Sequence, residues 1–552
     1  MEKIKIFIFT NILLFGWPAI VWPQSVLDIL NEDDAPPRAQ SQEQSQEEPS
    51  SQPEAEATAE DTGQTEDSFS SAQESEETQD DSSAGGSRFL GSIVAGATTL
   101  DGKNYQQIGI RGEVPVGNFG FGFDIQVLLD EKGDIRKEDW DEGVDYLDKI
   151  YYIRWGQKNS PLYLKLGGLD STYLGYGSIV WGYSNMVEYP TYKRVGFEMA
   201  VNTKYFGMEY FMNDFKEVID KNPSLVTGTR LAVKPISGLS IGGSVASDTN
   251  QYKGLRDNDG DDYPDQIDYD PYNKNVVTEI DVYRTKEISE SAIGELIDKN
   301  FISSIEKEDL MKISESKSAV VIYGADIGYD ILSPYDKSGS KNFVSLSVYA
   351  QWAQIYETKG WGFGAPGVRL GAGPVDFSIE YRQNSDKFLF NYFNNTYELE
   401  RANFISAGFG NPIAYTKLDV IKAAKAKQGF FSSLGFNLFE LLKLQFDYQL
   451  LMKKNKEDEN DQSLTGSLKI KDGLIPVVSE VSGYYTQNNV KDFLEWKTPS
   501  TIIGFKTGFK MGGTTSIIFD YRFTFEDVNG NGIIAGEDET IKTISISTTS
   551  RF

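Results

Sequence analysis

The stretch "LLKLQFDYQLLM", residues 441–452, decides the fold. Every second residue from Leu442 to Met452 is apolar, and the residues between them are mostly polar, from Lys443 to Gln449. Side chains on a β-strand alternate between its two faces, so a period of two separates these sets. The stretch therefore predicts a strand with one apolar face and one polar face.

Four further runs repeat the same alternation along the chain: "NFGFGFDIQV" (118–127), "FVSLSVYAQW" (343–352), "PVDFSIEYRQ" (374–383) and "SIIFDYRFTF" (516–525). With their flanks, such runs are about 10–14 residues long, whereas strands of soluble sandwiches average about 5–6. A tilted strand of this length crosses a bilayer, and only a closed sheet crosses without unpaired edges. The runs therefore predict a transmembrane β-barrel.

The connections between these runs alternate between short and long along the chain. Short turns such as 116–118 and 371–374 are separated by long segments such as 170–191 and 385–427. This asymmetry is typical of outer-membrane barrels, which have tight periplasmic turns and long outer loops. We predict an all-β fold over residues 88–552: a closed antiparallel transmembrane barrel of about 20 strands, within a range of 18–22.

The N-terminal part of the chain differs in composition from the rest. Residues 1–25 carry two lysines before an apolar run, which predicts a cleaved signal peptide; an uncleaved membrane anchor is the alternative. Residues 26–87 are rich in Ser, Gln and Glu and have too few apolar residues for a core, so we expect a disordered acidic segment. An even strand count would put this segment in the periplasm.

Composition excludes several classes of function. The 552 residues include no Cys and no His, which removes thiolate and imidazole metal sites and the usual nucleophilic and acid–base centres. The net charge of −29 argues against nucleic-acid binding, which requires a basic surface. No motif supports carboxylate or Ser–Lys catalysis, so we predict that the protein is not an enzyme.

The C-terminal stretch "TIKTISISTTSRF" ends on Phe552. It resembles the last strand of bacterial outer-membrane β-barrel proteins, whose terminal aromatic residue is part of the signal read by the barrel-assembly machinery. Thr548 and Ser550 depart from the family by being polar. The resemblance implies a porin-like barrel in the outer membrane of a diderm bacterium, with lipid and the assembly machinery as partners.

A first acidic loop, "DNDGDDYPDQIDYDP" (257–271), resembles the calcium repeats of thrombospondin type 3. Calcium takes six to eight oxygen ligands, which closely spaced carboxylates can supply. The resemblance implies a structural Ca2+ held by one backbone carbonyl, that of Tyr263, and by five carboxylate side chains: Asp257, Asp259, Asp261, Asp265 and Asp268. Asp262 stands where the repeat usually has glycine, and a solvated acidic loop is the alternative interpretation.

A second loop, "DVNGNGIIAGED" (527–538), resembles the dockerin and EF-hand calcium loops. The implied ligands are the side chains of Asp527, Asn529, Asn531 and Asp538 and the carbonyl of Ile533. It carries fewer charges than the first loop, so we expect weaker affinity, in the millimolar range of extracellular modules.

The largest connection, residues 249–317, is predicted to be an outer loop that contains the first calcium motif. Within it, residues 286–317 place Ile293, Leu296, Ile297 and Phe301 at helical spacing. We expect one or two short helices there, which either fold into the barrel mouth or rest on its rim.

The polar faces of the predicted strands suggest a wet lumen of mixed charge. The expected pore-lining residues are Asp124, Lys165, Glu198, Asp326, Glu380, Arg382, Lys443, Asp447, Asp520 and Arg522. We therefore predict a porin-like channel for small hydrophilic solutes, with outer loops stabilised by calcium. A surface adhesin or a structural barrel without channel activity is the alternative, and the pattern leaves the oligomeric state open.

Overall fold

A computed structural model describes residues 90–551 of the chain. The description omits residues 101–102, 137–138, 141–142, 159, 190–191, 220–222, 335–341, 406–411, 440, 456–457, 473, 513, 526–533 and 536–538. The predicted signal peptide (1–25), the predicted acidic segment (26–87) and Phe552 lie outside the described residues. The predictions for these three regions therefore stay predictions.

Twenty strands form one sheet. The runs in which apolar and polar residues alternate lie in these strands. The barrel strands are β1 (Leu90–Leu100), β2 (Lys103–Val116), β3 (Phe119–Leu129), β4 (Ile150–Trp155), β5 (Leu162–Gly167), β6 (Gly196–Asn202), β7 (Phe206–Met212), β8 (Val226–Val233), β9 (Leu239–Asp248), β10 (Val320–Leu332), β11 (Val344–Ile355), β12 (Trp361–Ala372), β13 (Val375–Asn384), β16 (Lys427–Leu438), β17 (Leu442–Lys453), β18 (Asp461–Lys471), β19 (Val478–Val490), β20 (Thr501–Gly512), β21 (Thr515–Phe525) and β22 (Thr540–Arg551). The short strands β14 (Ala402–Ile405) and β15 (Ile413–Thr416) form a separate hairpin.

The sheet closes on itself because its first and last strands pair. β1 runs antiparallel to β22, with Ser92 opposite Arg551 and Ala97 opposite Ile546. Every other neighbouring pair in the sheet is also antiparallel, and each barrel strand pairs with the next one along the chain. The closed antiparallel barrel and the strand count of about 20 are thus confirmed.

Long and short connections alternate around the barrel, as the sequence indicates. Three of the long connections are much longer than a turn: the β5–β6 loop (168–195), the β9–β10 loop (249–319) and the β13–β16 loop (385–426). One connection at the long-loop end is short, since only two residues separate Leu100 from Lys103. The free ends of β1 and β22 lie at the opposite end, with the short turns.

Short helices occur in the long connections. They are α1 (Lys216–Ile219), α2 (Glu279–Thr285), α3 (Glu290–Asp298), α4 (Tyr397–Glu400) and α5 (Lys417–Lys422), with 3-10 turns at Gly143–Lys149, Gln251–Gly254 and Lys307–Asp309. Helix α3 falls within the stretch predicted to be helical, and α2 precedes it. None of the helices in the described part of the chain is long and apolar enough to cross a membrane.

Helices α2 and α3 pack on each other rather than on the barrel wall. Ile280, Ile293 and Ile302 are buried together and form a small core of their own. The N-cap residue Thr278 begins α2 with reciprocal hydrogen bonds to Asp281, and Ser289 caps α3. The β9–β10 loop therefore has an independent apolar core outside the strand pattern.

The two faces of the barrel wall differ in polarity. Large apolar side chains are exposed on its outer surface all around the sheet, among them Ile93, Ile125, Leu231, Ile327, Val348, Ile379, Phe430 and Ile546. On β17, Asp447 and Gln449 are buried inside, whereas Leu444 and Met452 are exposed outside. An apolar outer band around a closed sheet is the surface that lipid, and not water, solvates favourably.

Adjacent residues of β22 allow a direct test of this band. Ile546 faces outward near the middle of the strand, and Ser547 faces the interior. We expect Ile546→Arg to lower the free energy of unfolding by about 2–4 kcal/mol, because it places a charge in lipid. Urea unfolding in lipid vesicles measures this change. The control Ser547→Arg should cost less than half as much, and equal costs would contradict the assignment of the two faces.

Candidate functional site: the lumen and its inserted loops

Two of the long loops fold into the barrel rather than away from it. In the β5–β6 loop, Leu169, Ile179 and Val180 are buried, and in the β13–β16 loop Phe390 and Phe393 are buried. They share one apolar core with inward-facing residues of the wall: Phe211, Val226, Ala246, Val320, Ile322, Ala353, Ile355 and Leu451. This part of the lumen is thus packed and apolar, which differs from the predicted wet lumen of mixed charge.

The two inserted loops are joined by backbone hydrogen bonds. The amide of Trp181 donates to the carbonyl of Phe393 at 3.1 Å, and the amide of Phe393 donates to the carbonyl of Ile179 at 3.1 Å. The amide of Asn391 also donates to the carbonyl of Ser178 at 3.0 Å. Val180 and Phe393 form a parallel bridge. The loops therefore satisfy each other's backbone groups where water is excluded.

A buried network of charges fixes the loops to each other and to the wall. Arg401 of the β13–β16 loop contacts Asp248 at the end of β9 at 3.1 Å and Glu398 at 3.0 Å. Arg194 of the β5–β6 loop contacts Glu188 at 2.6 Å and Glu398 at 3.5 Å. Each carboxylate in the network has a guanidinium partner, which charges require when they leave water.

Two tyrosines complete the hydrogen bonding of this network. The hydroxyl of Tyr397 donates to Asp248 at 2.8 Å, and that of Tyr183 donates to Glu398. Burial by itself would raise the pKa of Glu398. The guanidinium groups of Arg194 and Arg401 together outweigh that effect, so the pKa of Glu398 lies below its ordinary value. Glu398 is therefore ionised at neutral pH.

A second buried pair lies in the wall itself. Arg382 contacts Glu380 at 2.6 Å, and both side chains are fully buried. Arg382 also donates to Gln449 at 2.6 Å and to Asn391 of the β13–β16 loop at 3.2 Å. Its guanidinium carbon lies 4.1 Å from the ring centroid of Phe431, within cation–π range. These contacts join β13, β16 and β17 to an inserted loop.

Five of the ten predicted lumen residues contact the inserted loops directly. Asp124 accepts from Tyr189 at 2.5 Å, Lys165 pairs with Asp170 at 3.0 Å, and Arg522 donates to the Val187 carbonyl at 2.8 Å. The other two of the five are Arg382, through Asn391, and Asp447, which accepts from the indole of Trp181 at 3.0 Å. The five side chains hold loops in place, a role that the strand pattern alone did not indicate.

The remaining predicted lumen residues differ in their surroundings. Asp326 pairs with Arg230 at 2.6 Å, and Glu198 pairs with Lys158 at 3.3 Å. Glu380 is paired with Arg382, Lys443 is half-buried, and Asp520 is exposed. Of the ten, Asp520 is thus the most accessible to solvent.

Sequence reasoning missed the inserted loops themselves. It treated segment 170–191 as one of the polar outer connections, but Ser171, Leu174, Tyr183 and Asn185 are all buried. The signal was its high content of glycine and aromatic residues, which is unusual for a solvated loop. Period-two patterning locates strands and carries no information on the direction in which a loop folds.

The two loops and the wall enclose a narrow cleft. Its lining includes four aromatic rings (Tyr173, Trp181, Phe390 and Phe431), seven amide side chains and a single charged group, Asp447. The rings of Tyr173 and Phe431 each stand edge-on to Trp181 with centroids 4.9 Å apart. The cleft is therefore an aromatic and amide surface with little charge.

The first acidic loop brings three of its predicted ligands together. Carboxylate oxygens of Asp257, Asp259 and Asp261 lie within 4.8 Å of one another. Asp257 accepts hydrogen bonds from the amides of Gly260 at 2.8 Å and Asp261 at 3.1 Å, which curl the loop around it. The Oδ2 atoms of Asp259 and Asp261 are buried and have no hydrogen-bond partner among the described residues. Converging carboxylates with spare oxygens are a donor set that fits a hard cation.

The other residues of this loop have structural contacts. Asp262 has a φ of 80°, and its carboxylate accepts from the amide of Ser314 at 2.8 Å, which ties the loop to the following segment. Asp265 accepts from the amide of Asn258 at 2.9 Å, and Asp268 accepts from that of Asp270 at 3.0 Å. Neither joins the cluster of three. Burial and the nearby carboxylates raise the pKa of Asp268 to about 6. Tyr263, expected to offer its carbonyl, is buried.

All five proposed ligands of the second predicted calcium loop lie outside the described residues: Asp527, Asn529, Asn531, Ile533 and Asp538.

No family model and no curated protein matches this chain. Several solved structures are similar to it. OprD of Pseudomonas aeruginosa shares 9% identity, with 84% of this chain and 95% of that chain covered and a TM-score of 0.28; OpdQ of Pseudomonas aeruginosa shares 10% identity, with 84% and 96% covered and a TM-score of 0.27. The siderophore receptor PirA of Acinetobacter baumannii shares 8% identity, with 85% of this chain and 81% of that chain covered and a TM-score of 0.29. At these TM-scores the similarity carries no argument about function.

Removing one member of the buried charge network tests its role. Arg401→Met leaves Asp248 without its guanidinium partner, and we expect a loss of about 3–5 kcal/mol in the stability of the loop and its surroundings. Faster proteolysis within the β13–β16 loop and a lower urea midpoint would measure it. The double variant with Asp248→Asn should recover part of the loss.

The exposed pair of Lys422 and Asp419 provides a matched control in the same loop. We expect Lys422→Met to change stability by less than about 1 kcal/mol, because water screens exposed pairs. Equal effects of Arg401→Met and Lys422→Met would show that burial of the charge network does not increase its contribution to stability.

Proposed function

We propose that the protein is an outer-membrane channel for small hydrophilic solutes, narrowed by two inserted loops. The observation that carries this proposal is the polarity of the wall: it is apolar outside, whereas charged and amide side chains point inward from β3, β13 and β17. A barrel of twenty strands is too wide for wall side chains alone to fill, because strand number sets the diameter. The loops then define the width of the path.

The membrane setting follows from the same surfaces. A closed sheet leaves no unpaired strand edge, and its apolar band matches the hydrocarbon core of a bilayer. We place the short turns and the acidic segment 26–87 in the periplasm and the long loops outside the cell. Lipid, the barrel-assembly machinery and small solutes are the proposed partners; we propose no enzymatic activity.

The proposed solute path runs along the wall that remains accessible. Asp520 on β21 is exposed, and Lys506 on β20 is only partly covered by its contact with Glu480 at 2.8 Å. Lys506 and Asp520 are opposite each other in the sheet register. A solute passing here would meet one negative and one positive group, as in other mixed-charge pores.

The extent of loop packing favours a second candidate, a surface-binding barrel without transport. The apolar core of the lumen and the separate core of α2 and α3 would stabilise an outer face for adhesion. Conductance separates the two candidates, because an adhesive barrel has no need of an open path.

Single-channel recording in planar bilayers tests the channel proposal. We expect discrete conductance from the wild type, and we expect Asp520→Lys to shift the reversal potential in a KCl gradient toward anion preference. Glu315→Lys, on the outer loop, is the control of equal charge change and should leave the reversal potential unchanged. No conductance from a folded, protease-resistant barrel would reject the channel and favour the adhesive barrel.

We further propose that Ca2+ binds the β9–β10 loop through Asp257, Asp259 and Asp261, with Asp265, Asp268 and the Tyr263 carbonyl as the remaining candidates from the sequence resemblance. The converging carboxylates and their spare oxygens support this proposal. The cation would offset repulsion among the carboxylates and stiffen the outer loop. The second loop, 527–538, is proposed as a weaker site on sequence grounds alone.

Calcium should stabilise the folded state by mass action. At ten times the dissociation constant, we expect about 1.4 kcal/mol of added stability, seen as slower proteolysis of the β9–β10 loop. Asp259→Asn with Asp261→Asn should abolish the effect, and Glu315→Gln, an acidic position outside the cluster, should retain it. Protection that a chelator leaves unchanged would refute the calcium site.

A further inference from the structure

The cleft between the inserted loops and the wall has a composition that selects one class of ligand. Its charged lining is limited to Asp447, whose carboxylate already accepts hydrogen bonds from Trp181 at 3.0 Å and from Gln445 at 2.6 Å. An anionic solute would find no countercharge in this lining, and a cationic solute would have to displace the hydrogen bonds that Asp447 already accepts. The cleft therefore favours a neutral solute.

Aromatic rings and amides together line the cleft. Tyr173 and Trp181 present ring surfaces from the β5–β6 loop, while Asn391 and Asn395 present amides from the β13–β16 loop. Aromatic faces attract polarised C–H groups, and each amide offers both a donor and an acceptor. A molecule that combines a C–H face with a rim of hydroxyl groups matches both features.

Several lining groups are fixed in position. Asn395 donates to Thr486 at 2.9 Å, and Asn488 donates to Asn395 at 3.1 Å and to Thr396 at 2.8 Å. Gln449 is held by Arg382 at 2.6 Å. Preorganised polar groups lose little entropy on binding, which is what a small neutral ligand requires.

The cleft is also open along one side. Tyr173, Gln445 and Thr465 are only half-buried, in contrast to the buried Trp181 and Phe431. The cleft as a whole has a volume of about 30 Å3, room for roughly two water molecules. The cleft can thus enclose one edge of a ring while the rest of the solute remains in the lumen.

We propose that this cleft is a binding site for neutral polyhydroxylated solutes, namely sugars, engaged one ring at a time. The inference rests on the proposed channel function and specifies its substrate class. The half-buried Tyr173 contacts the C–H face of the ring at the open side of the cleft, and Thr465, Asn391 and Gln445 bind its hydroxyl groups. The site lies beside β17–β19 where the two inserted loops meet.

Calorimetric titration of the detergent-solubilised barrel with maltose tests the site without requiring transport. We expect saturable binding of maltose and none of arginine or glutamate at the same concentrations. Tyr173→Leu keeps an apolar side chain but removes the ring, and it should raise the dissociation constant about fivefold. Thr465→Val keeps the shape but removes the hydroxyl, and it should raise the constant about threefold.

Lys422→Met is the matched control, because the exposed Lys422 lies in the β13–β16 loop but does not line the cleft. It should leave the maltose affinity within a factor of two. Absence of maltose binding by a folded, conducting barrel would overturn the sugar site and leave the channel standing. Stronger binding of arginine or glutamate than of maltose would also overturn it. Maltose binding without conductance would instead reject the channel while retaining the site.

Discussion

The pairing of β1 with β22 is the constraint on which the rest of this structure depends. The two edge strands of an open sheet in lipid would each leave a row of unpaired N–H and C=O groups, and each group would cost several kcal/mol. Closure removes that cost and fixes which face of each strand meets lipid. It thereby explains why Ile546 lies outside and Ser547 inside on the same strand.

Closure over twenty strands creates a second problem, the width of the interior. Wall side chains cannot fill it, so the β5–β6 and β13–β16 loops enter and bring their own apolar residues. Once inside, their backbone groups must find partners, and the hydrogen bonds between Trp181 and Phe393 and between Phe393 and Ile179 supply them. The loops fold inward as a pair because each supplies hydrogen-bond partners for the backbone of the other.

The sequence predicted the wall well because the wall obeys a local rule. Alternation along β17 correctly separated Asp447 from its apolar neighbours without any knowledge of the partner strands. It could not show that Trp181, 266 positions away, donates to that carboxylate. The acidic loop is an intermediate case: spacing alone brought Asp257, Asp259 and Asp261 together, but the anchoring of Asp262 to Ser314 depends on a segment 52 residues further along.

The buried charges show why the inserted loops have a defined position. An apolar core favours burial but is nearly indifferent to small sliding movements, because its attraction has no direction. The contacts of Arg401 with Asp248 and Glu398 are directional, and a shift of an ångström would leave a charge without its hydrogen bonds. The core therefore keeps the loops inside the barrel, and the ion pairs set where they stop. The width and chemistry of the space left in the lumen follow from that position.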